Sequence, residues 1–170
     1  MNITIENLTK HFGEKEALNI QRYDIHSGEI IGLLGNNGAG KTTLFRILLD
    51  LLHADTGTTI IHGTLPDGSY ASFDTAKNED WKRYTGAFID SGFLIDFLTP
   101  EEYFSFIGKV NNISQSVINE QLLQFEGFMN GEVLGRNILI RNLSMGNQQK
   151  VGIIGAMLAN PKLLILDEPF

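Results

Sequence analysis

The sequence predicts an α/β fold in which buried strands alternate with helices. Residues 29–34 form a short apolar run with β-branched members, and a glycine-rich stretch separates this run from apolar residues at helical spacing. A second apolar run, 163–166, ends directly in an acidic pair, and much of the sequence between the two runs has helical patterns. Such runs are typical of strands covered on both faces, so we expect a mainly parallel core sheet.

The N-terminal third of the sequence predicts further strands before that sheet. Residues 3–8 alternate between apolar and polar, a turn is expected at 9–13, and a second strand is expected over 17–25. A tight turn at 26–29 then leads into the run 29–34, which we predict to be a buried parallel strand.

The middle of the sequence predicts one helix and two short strands. Apolar residues from 44 to 52 recur at helical spacing, and a turn at 55–57 precedes a β-branched strand over 58–62. Residues 65–82 are polar and predict an irregular excursion with room for one short helix. A short buried strand is expected over 86–89.

The remaining sequence predicts helices before the final strand. Residues 99–102 combine a threonine cap, a proline and two acids, which together are typical of a helix start. Helical patterns continue through 103–110 and 114–125. A last helix is predicted over 144–159, and Pro161 prevents its continuation.

Composition argues against several classes of protein. The formal net charge of -7 argues against nucleic acid as the main partner, because phosphate neutralisation requires a basic surface. The absence of cysteine excludes disulfides, zinc thiolates and thiol nucleophiles, and fits a reducing compartment. No apolar run approaches the roughly 18 residues of a membrane helix, and the N-terminus lacks the pattern of a signal peptide. We therefore expect a soluble cytoplasmic protein.

The stretch 35–43 matches the phosphate-binding pattern G-x-x-x-x-G-K-[ST] between a predicted strand and a predicted helix. Glycines allow a turn whose N–H groups converge on an anion, and the helix N-terminus adds its dipole. Lys41 is expected to reach the β- and γ-phosphates of a nucleotide, and the Thr42 hydroxyl to bind Mg²⁺. The predicted nucleotide contacts are Gly35, Asn36, Asn37, Gly38, Ala39, Gly40, Lys41, Thr42 and Thr43. This pattern predicts a P-loop NTPase.

The acidic pair Asp167 and Glu168 matches a Walker B strand end. A carboxylate at the carboxyl end of a parallel strand lies where ligands bind in α/β folds, so Asp167 is a candidate Mg²⁺ ligand. Glu168 is expected to point elsewhere and to orient or deprotonate a water that attacks the γ-phosphate. A surface acid pair is the alternative interpretation.

Residues 142–150 predict a loop that leads into a helix, with Ser144 as the cap. The free N–H groups of the helix start, the hydroxyl and Gly146 would make a second anion site. Taken alone, this stretch is better interpreted as an ordinary helix cap.

These motifs together resemble the ATP-binding cassette (ABC) family over nearly the whole sequence. The phosphate loop is followed by L-S-x-G-x-Q at 143–148 and by L-x-x-P-K-L-L-I-L-D-E-P at 158–169. The family signature is usually L-S-G-G-Q, so Met145 replaces a glycine and Asn147 replaces the glutamine. Substitution at these positions resembles a branch that includes peptide-antibiotic exporters.

The resemblance implies a partial ATP-binding domain over 1–170. A core with an antiparallel β subdomain is expected at about 1–90 and 161–170, and a helical subdomain with the signature helix at about 91–160. The family continues past the acidic pair with a further loop and a strand that carries a switch histidine, whereas all four histidines here precede the pair. We therefore expect a piece of a longer cassette whose sheet has a gap or exposed edges, with the C-terminal part of the usual fold missing.

Two further positions carry over from the family. Phe12 stands where the family places an aromatic residue against adenine, and a π-face is all that this role needs. A core phenylalanine beside a turn is the alternative. Asp90 stands where the family usually has the Q-loop glutamine that touches Mg²⁺, and a plain loop acid is the alternative there.

The resemblance implies an ATPase subunit, using ATP and Mg²⁺, that powers transport by a separate membrane permease. Two copies are expected to sandwich two ATP molecules, with Ser144 and Gly146 of one copy against the ATP of the other. Such a subunit would be cytoplasmic and peripheral on the inner face of the cell membrane. The apolar segment 90–103 is expected to dock the permease, or else to be buried beneath the helical subdomain.

Other classes remain as alternatives. A soluble cassette protein acting on ribosomes or DNA would need a second cassette, a basic linker or coiled-coil heptads. A GTPase would need an N-K-x-D motif, which 77–80 does not match. A module that binds nucleotide with little hydrolysis is the third alternative.

Overall fold

The computed structural model describes residues 1–168, which divide into two compact units. The first unit is Met1–Lys82, and the second begins at Arg83. Both units mix strands and helices, in agreement with the predicted α/β class. The proposed boundaries between a core and a helical subdomain stay a prediction.

The first unit is built on a four-stranded antiparallel sheet with strand order β2-β1-β3-β4. The strands are β1 (Asn2–Phe12), β2 (Lys15–Ile25), β3 (Thr56–Thr64) and β4 (Tyr70–Asp74), and helix α1 (Lys41–Leu48) contacts β2. Alternation of apolar and polar residues puts one face of β1 in the core. The buried apolar core of this unit includes Ile3, Ile5, Leu8, Leu44, Ile47, Leu48, Ile61, Phe73 and Trp81.

Besides the segment 29–34, the elements of the first unit differ from the prediction at three places. Strand β1 continues through the predicted turn to Phe12, with a register shift between Lys10 and His11. Helix α1 ends at Leu48 rather than at residue 52, because Asp50 has a left-handed backbone. Part of the predicted irregular excursion is strand β4, a short edge strand within the mainly polar segment 65–82.

The predicted buried strand at 29–34 is wrong. These residues have no regular secondary structure, and Ile30 and Leu34 are almost fully exposed. A parallel strand needs hydrogen-bonding neighbours, and the strand pairs found within residues 1–168 do not include this segment. Without such neighbours its apolar side chains have no sheet face to cover them.

The second unit packs helices around a two-stranded parallel sheet of β5 (Thr85–Phe88) and β6 (Leu163–Leu166). Its helices are α2 (Pro100–Val110), α3 (Gln115–Gln124), α4 (Glu126–Met129) and α5 (Met145–Met157), and short 3₁₀ turns occupy Ser91–Phe93 and Ile140–Asn142. The buried cluster includes Phe88, Phe104, Ile118, Ile140, Val151, Ile154 and Leu158.

Local signals for the helices of this unit are confirmed. Thr99 and Glu102 form a reciprocal capping box at the start of α2, and Ser114 caps α3. Helix α5 packs closely on β5 where Gly152 faces Phe88. A Cβ at Gly152 would overlap the Phe88 ring, so only glycine allows this approach. None of the helices in the part of the chain that is described is long and apolar enough to cross a membrane.

Candidate functional site

The predicted phosphate loop is a tight glycine turn at the start of α1. The Ala39 N–H donates to the Asn36 carbonyl at 3.0 Å, and α1 then begins with Leu44 N–H donating to Gly40 O at 2.8 Å. Gly38 and Gly40 have φ of 83° and 91°, a region that favours glycine. The remaining predicted contact residues either lie in the turn, as Asn37 does, or begin α1, as Thr42 and Thr43 do.

Gly40 also lacks the space for a side chain. A Cβ there would overlap the backbone oxygen of Ala17 in β2, so the loop packs directly on the antiparallel sheet. Gly40 has no side chain with which to cap the helix, and the N-terminal end of α1 is therefore suited to an external anion.

The Lys41 side chain folds back over this loop. Its ammonium donates to the Gly35 carbonyl at 2.7 Å and to the Asn36 carbonyl at 3.2 Å. These bonds hold a positive charge at the loop without a carboxylate partner among the described residues. An ammonium held there can attract the phosphates of a nucleotide.

Phe12 lies at the end of β1 with 53% of its surface exposed, so it is not a core phenylalanine. The Lys10 ammonium lies 5.7 Å from the Phe12 ring centroid and donates to Asp55 at 2.9 Å. Asp55 also accepts from the His11 N–H at 2.6 Å. The hydrogen bond from Lys10, followed by that from the His11 backbone, lowers the pKa of the Asp55 carboxyl. This network fixes the strand end that presents the ring.

Sequence analysis missed two residues beside the phosphate loop, Ala17 and Lys15. Ala17 and its neighbours on β2 line a cleft of about 360 Å³ together with Gly40 and Lys41. The Lys15 ammonium lies 3.7 Å from the position that a Cβ on Gly38 would occupy. Only the register of the β1–β2 pair brings these residues to the loop, and no local sequence pattern reports that register.

The acidic pair follows β6 as predicted, and its two members differ in environment. Asp167 is buried, and its N–H donates to the Phe88 carbonyl at 2.9 Å, which extends the strand pairing. Glu168 is exposed, has a φ of 44°, and its carbonyl accepts from the Gln149 side chain at 3.4 Å. The two carboxylates are therefore suited to different tasks.

Asp90 follows β5, the parallel neighbour of β6. Because Phe88 pairs with Leu166, Asp90 and Asp167 both lie just beyond the carboxyl ends of these two parallel strands. One Asp90 oxygen accepts the Gly92 N–H at 2.7 Å and caps the short 3₁₀ turn. Its predicted metal role stays a prediction, and its observed role is that of a turn-forming acid.

Ser144 and Gly146 lie at the exposed start of α5. The Ser144 hydroxyl accepts from the Asn147 N–H at 3.3 Å, so the residue is an ordinary helix cap in this structure. A Cβ at Gly146 would meet no atom within 4 Å, which leaves its surface open. The predicted contact with a partner's nucleotide stays a prediction.

The apolar segment 90–103 is expected either to dock the permease or to be buried beneath the helical subdomain, and its residues differ in exposure. Phe93 and Phe97 are exposed, as a docking surface requires. Leu94 is buried in the helical cluster, and Leu98 is half-buried.

The glycine turn that leads into α1 is characteristic of P-loop NTPase folds. A carboxylate directly after a parallel strand, such as Asp167 after β6, is typical of the same class of protein. The sequence model of the ABC transporter family matches residues 18–170. The chain therefore belongs to the ABC transporter family, as the motif order indicated.

Curated relatives agree with this assignment. The chain is 34% identical over 170 residues to the uncharacterized ABC transporter ATP-binding protein MJ1023 of Methanocaldococcus jannaschii. The alignment covers 99% of this chain and 56% of that protein. The chain is also 34% identical over 174 residues to the sulfate/thiosulfate import ATP-binding protein CysA of Pectobacterium atrosepticum, covering 100% and 50%. The chain thus spans about half the length of these relatives.

Solved structures share the fold. The dimeric structure of MJ0796, a bacterial ABC transporter cassette, has a TM-score of 0.78 and 26% identity, with 98% of this chain and 74% of that chain covered. A post-hydrolysis state of MJ0796 bound to ADP and Pi, 24% identical over 98% of this chain and 74% of that chain, has a TM-score of 0.76 and supports the fold alone.

Proposed function

We propose that this protein binds ATP with Mg²⁺ at the phosphate loop and is an ATP-hydrolysing subunit of an ABC transporter. The observation that carries the proposal is the loop geometry, in which Gly38 and Gly40 adopt left-handed backbone and Lys41 holds its ammonium over the loop carbonyls. Converging N–H groups and an ammonium stabilise the negative charge of the β- and γ-phosphates.

Phe12 is the proposed adenine contact. Its exposed ring lies on the same unit as the phosphate loop, and the Lys10–Asp55 pair holds the adjacent backbone. Stacking on an aromatic face accepts any purine, so this contact alone gives weak discrimination between ATP and GTP.

Thr42 and Asp167 are the proposed Mg²⁺ ligands, with Asp90 as a third candidate. A nucleotide-bound Mg²⁺ takes only one or two protein oxygens and otherwise phosphates and water, so one hydroxyl and one carboxylate suit it. Asp167 fits because it follows β6 directly, at the carboxyl end of a parallel strand, where ligands bind in α/β folds. Asp90 fits less well, since one of its oxygens already accepts the Gly92 N–H. When bound, the ion neutralises charge on the β- and γ-phosphates.

Glu168 is the proposed general base. Its exposed carboxylate follows the buried Asp167, so it is free to accept a proton from a water directed at the γ-phosphate. The two acids are proposed to perform separate tasks, Asp167 as a metal ligand and Glu168 as the base.

The proposed partners are a membrane permease and a second copy of the protein, at the inner face of the cell membrane. Ser144 and Gly146 present an exposed helix start, which attracts phosphate, to the ATP of the second copy. The MJ0796 cassette forms a dimer, which supports this arrangement. Exposed Phe93 and Phe97 are the proposed contact with the permease.

Two observations on the direction of transport disagree. Met145 and Asn147 in the signature favour the exporter type predicted from sequence. Relatives with a named cargo are import proteins, for sulfate or thiosulfate and, at 32% identity, for Fe³⁺ in Haemophilus influenzae. Because of these relatives, the proposal covers the ATP-binding subunit and leaves the exporter type as a prediction.

Titration with a fluorescent ATP analogue tests the proposal. Lys41→Ala removes a charged donor to the phosphates, so we expect a loss of about 1.5–3 kcal/mol, or about 10- to 150-fold in affinity. Lys77→Ala is the matched control, because this exposed lysine in the same unit pairs with Asp74 at 2.7 Å. Equal affinity of wild type and Lys41→Ala, both folded by circular dichroism, would contradict the proposed site.

A further inference from the structure

The β1–β2 hairpin brings a second lysine to the phosphate loop. Phe12 and Lys15 pair across the two-residue turn of Gly13 and Glu14. The Lys15 ammonium reaches the loop beside Gly38, 3.7 Å from the position that a Cβ there would occupy. The motif that defines the phosphate loop does not include this residue.

The Lys15 ammonium is available for a ligand. Within residues 1–168, it has no hydrogen bond or ion pair. The adjacent acid Glu16 is engaged elsewhere, since it accepts from Asn19 at 2.9 Å and lies 3.8 Å from the His11 ring. By contrast, Lys41 already donates to two loop carbonyls. Lys15 can therefore turn toward an anion without breaking an existing bond.

We propose that Lys15 is a further nucleotide-binding residue, whose ammonium contacts the phosphate chain of the nucleotide on the loop at Gly38. This inference rests on the proposed function and extends it. One short hairpin then supplies both an aromatic face for the base, from Phe12, and a cation for the phosphates. A nucleoside polyphosphate fits both groups, because its base can stack on the aromatic face and its phosphates carry the negative charge that the loop and the exposed ammonium favour.

The expected effect follows from the exposure of Lys15. Exposed ion pairs contribute modestly, so Lys15→Gln should weaken ATP and ADP binding about two- to fivefold at low salt. The weakening should be smaller for AMP and absent for adenosine, and high salt should reduce it because the charges are screened. Lys15→Arg keeps the charge and should bind like wild type.

The experiment measures displacement of a fluorescent ATP analogue by ATP, ADP, AMP and adenosine from the protein and from the variants Lys15→Gln, Lys15→Arg, Lys77→Gln and Lys41→Ala. Lys77→Gln controls for net charge, because Lys77 pairs with Asp74. Thermal unfolding of every variant verifies that each is folded. The supporting result is a loss with Lys15→Gln that grows with phosphate number and that Lys77→Gln does not reproduce.

Three outcomes would overturn the inference. The first is that Lys15→Gln matches wild type for ATP. The second is that Lys15→Gln weakens adenosine and ATP equally, which would mean that Lys15 acts through the hairpin. The third is that Lys77→Gln reproduces the loss, which would reduce the effect to net charge. If Lys41→Ala still weakens ATP binding about 10- to 150-fold, these outcomes leave the proposed function intact, whereas unchanged affinity of Lys41→Ala would overturn both.

Discussion

Replacing Gly40 with alanine should weaken the first unit and disable the phosphate loop. The residue has a φ of 91°, and a Cβ on it would overlap the Ala17 carbonyl oxygen. The left-handed conformation costs an alanine roughly 1–2 kcal/mol. Displacing the backbone of β2 adds about 1–3 kcal/mol, because the obstacle is main chain and cannot rotate away. We therefore expect a total loss of about 2–5 kcal/mol in the free energy of unfolding.

Gly68→Ala is the control that separates strain from overlap. Gly68 has a similar φ of 84°, but no atom lies within 4 Å of the Cβ position. Its substitution should cost only the conformational term, about 1–2 kcal/mol. The difference between the two variants measures how closely the phosphate loop packs on the antiparallel sheet.

The assay uses urea unfolding followed by the fluorescence of Trp81, the single tryptophan, which is buried in the first unit. ATP-analogue titration of the same samples reports on the loop. Gly68→Ala should bind nucleotide like wild type, whereas Gly40→Ala should not bind it measurably. If Gly40→Ala is no less stable than Gly68→Ala, or if it binds ATP normally, the reasoning from the Ala17 contact is refuted.

Three further predictions concern base, pH and catalysis. Phe12→Ala should weaken ATP by about 1–3 kcal/mol and inorganic triphosphate much less, as competition titrations will show. The Asp55 pKa is lowered in the folded protein, so its stabilisation is complete above the ordinary Asp pKa and is lost as pH falls through the lowered value. Acid unfolding followed by Trp81 should therefore contain a component that Asp55→Asn removes. Glu168→Gln should slow phosphate release about 10²–10⁴-fold and leave ATP affinity unchanged.

Features with local chemical causes could be predicted from the sequence. The glycine turn needs left-handed residues and an open helix start, and the pattern around Lys41 encodes both. The same holds for the caps at Thr99, Ser114 and Ser144, since a side-chain oxygen three residues from an N–H forms its bond within one turn.

Features that depend on distant strands could not be predicted in this way. The run 29–34 has the composition of a buried strand, but burial requires sheet neighbours, and Ile30 and Leu34 remain exposed without them. Strand β4 is the converse case, because only its pairing with β3 at the edge of the sheet makes a strand of this five-residue segment. Lys15 became visible as a candidate only through the register of β1 and β2.

The acids beyond β5 and β6 show how far sequence motifs determine a metal site. Both Asp90 and Asp167 follow apolar strands, and the parallel register of β5 and β6 places them at the same carboxyl end of the sheet. Asp167 is buried directly after β6, and a carboxylate oxygen is a type of ligand that Mg²⁺ prefers. Asp90 is exposed, and its bond to the Gly92 N–H, as a hydrogen bond to a carboxylate, is worth about 1.5–3 kcal/mol, which a metal contact must exceed before the turn opens. Burial and local hydrogen bonding, rather than residue type, therefore distinguish the two acids as candidates for the proposed Mg²⁺ site.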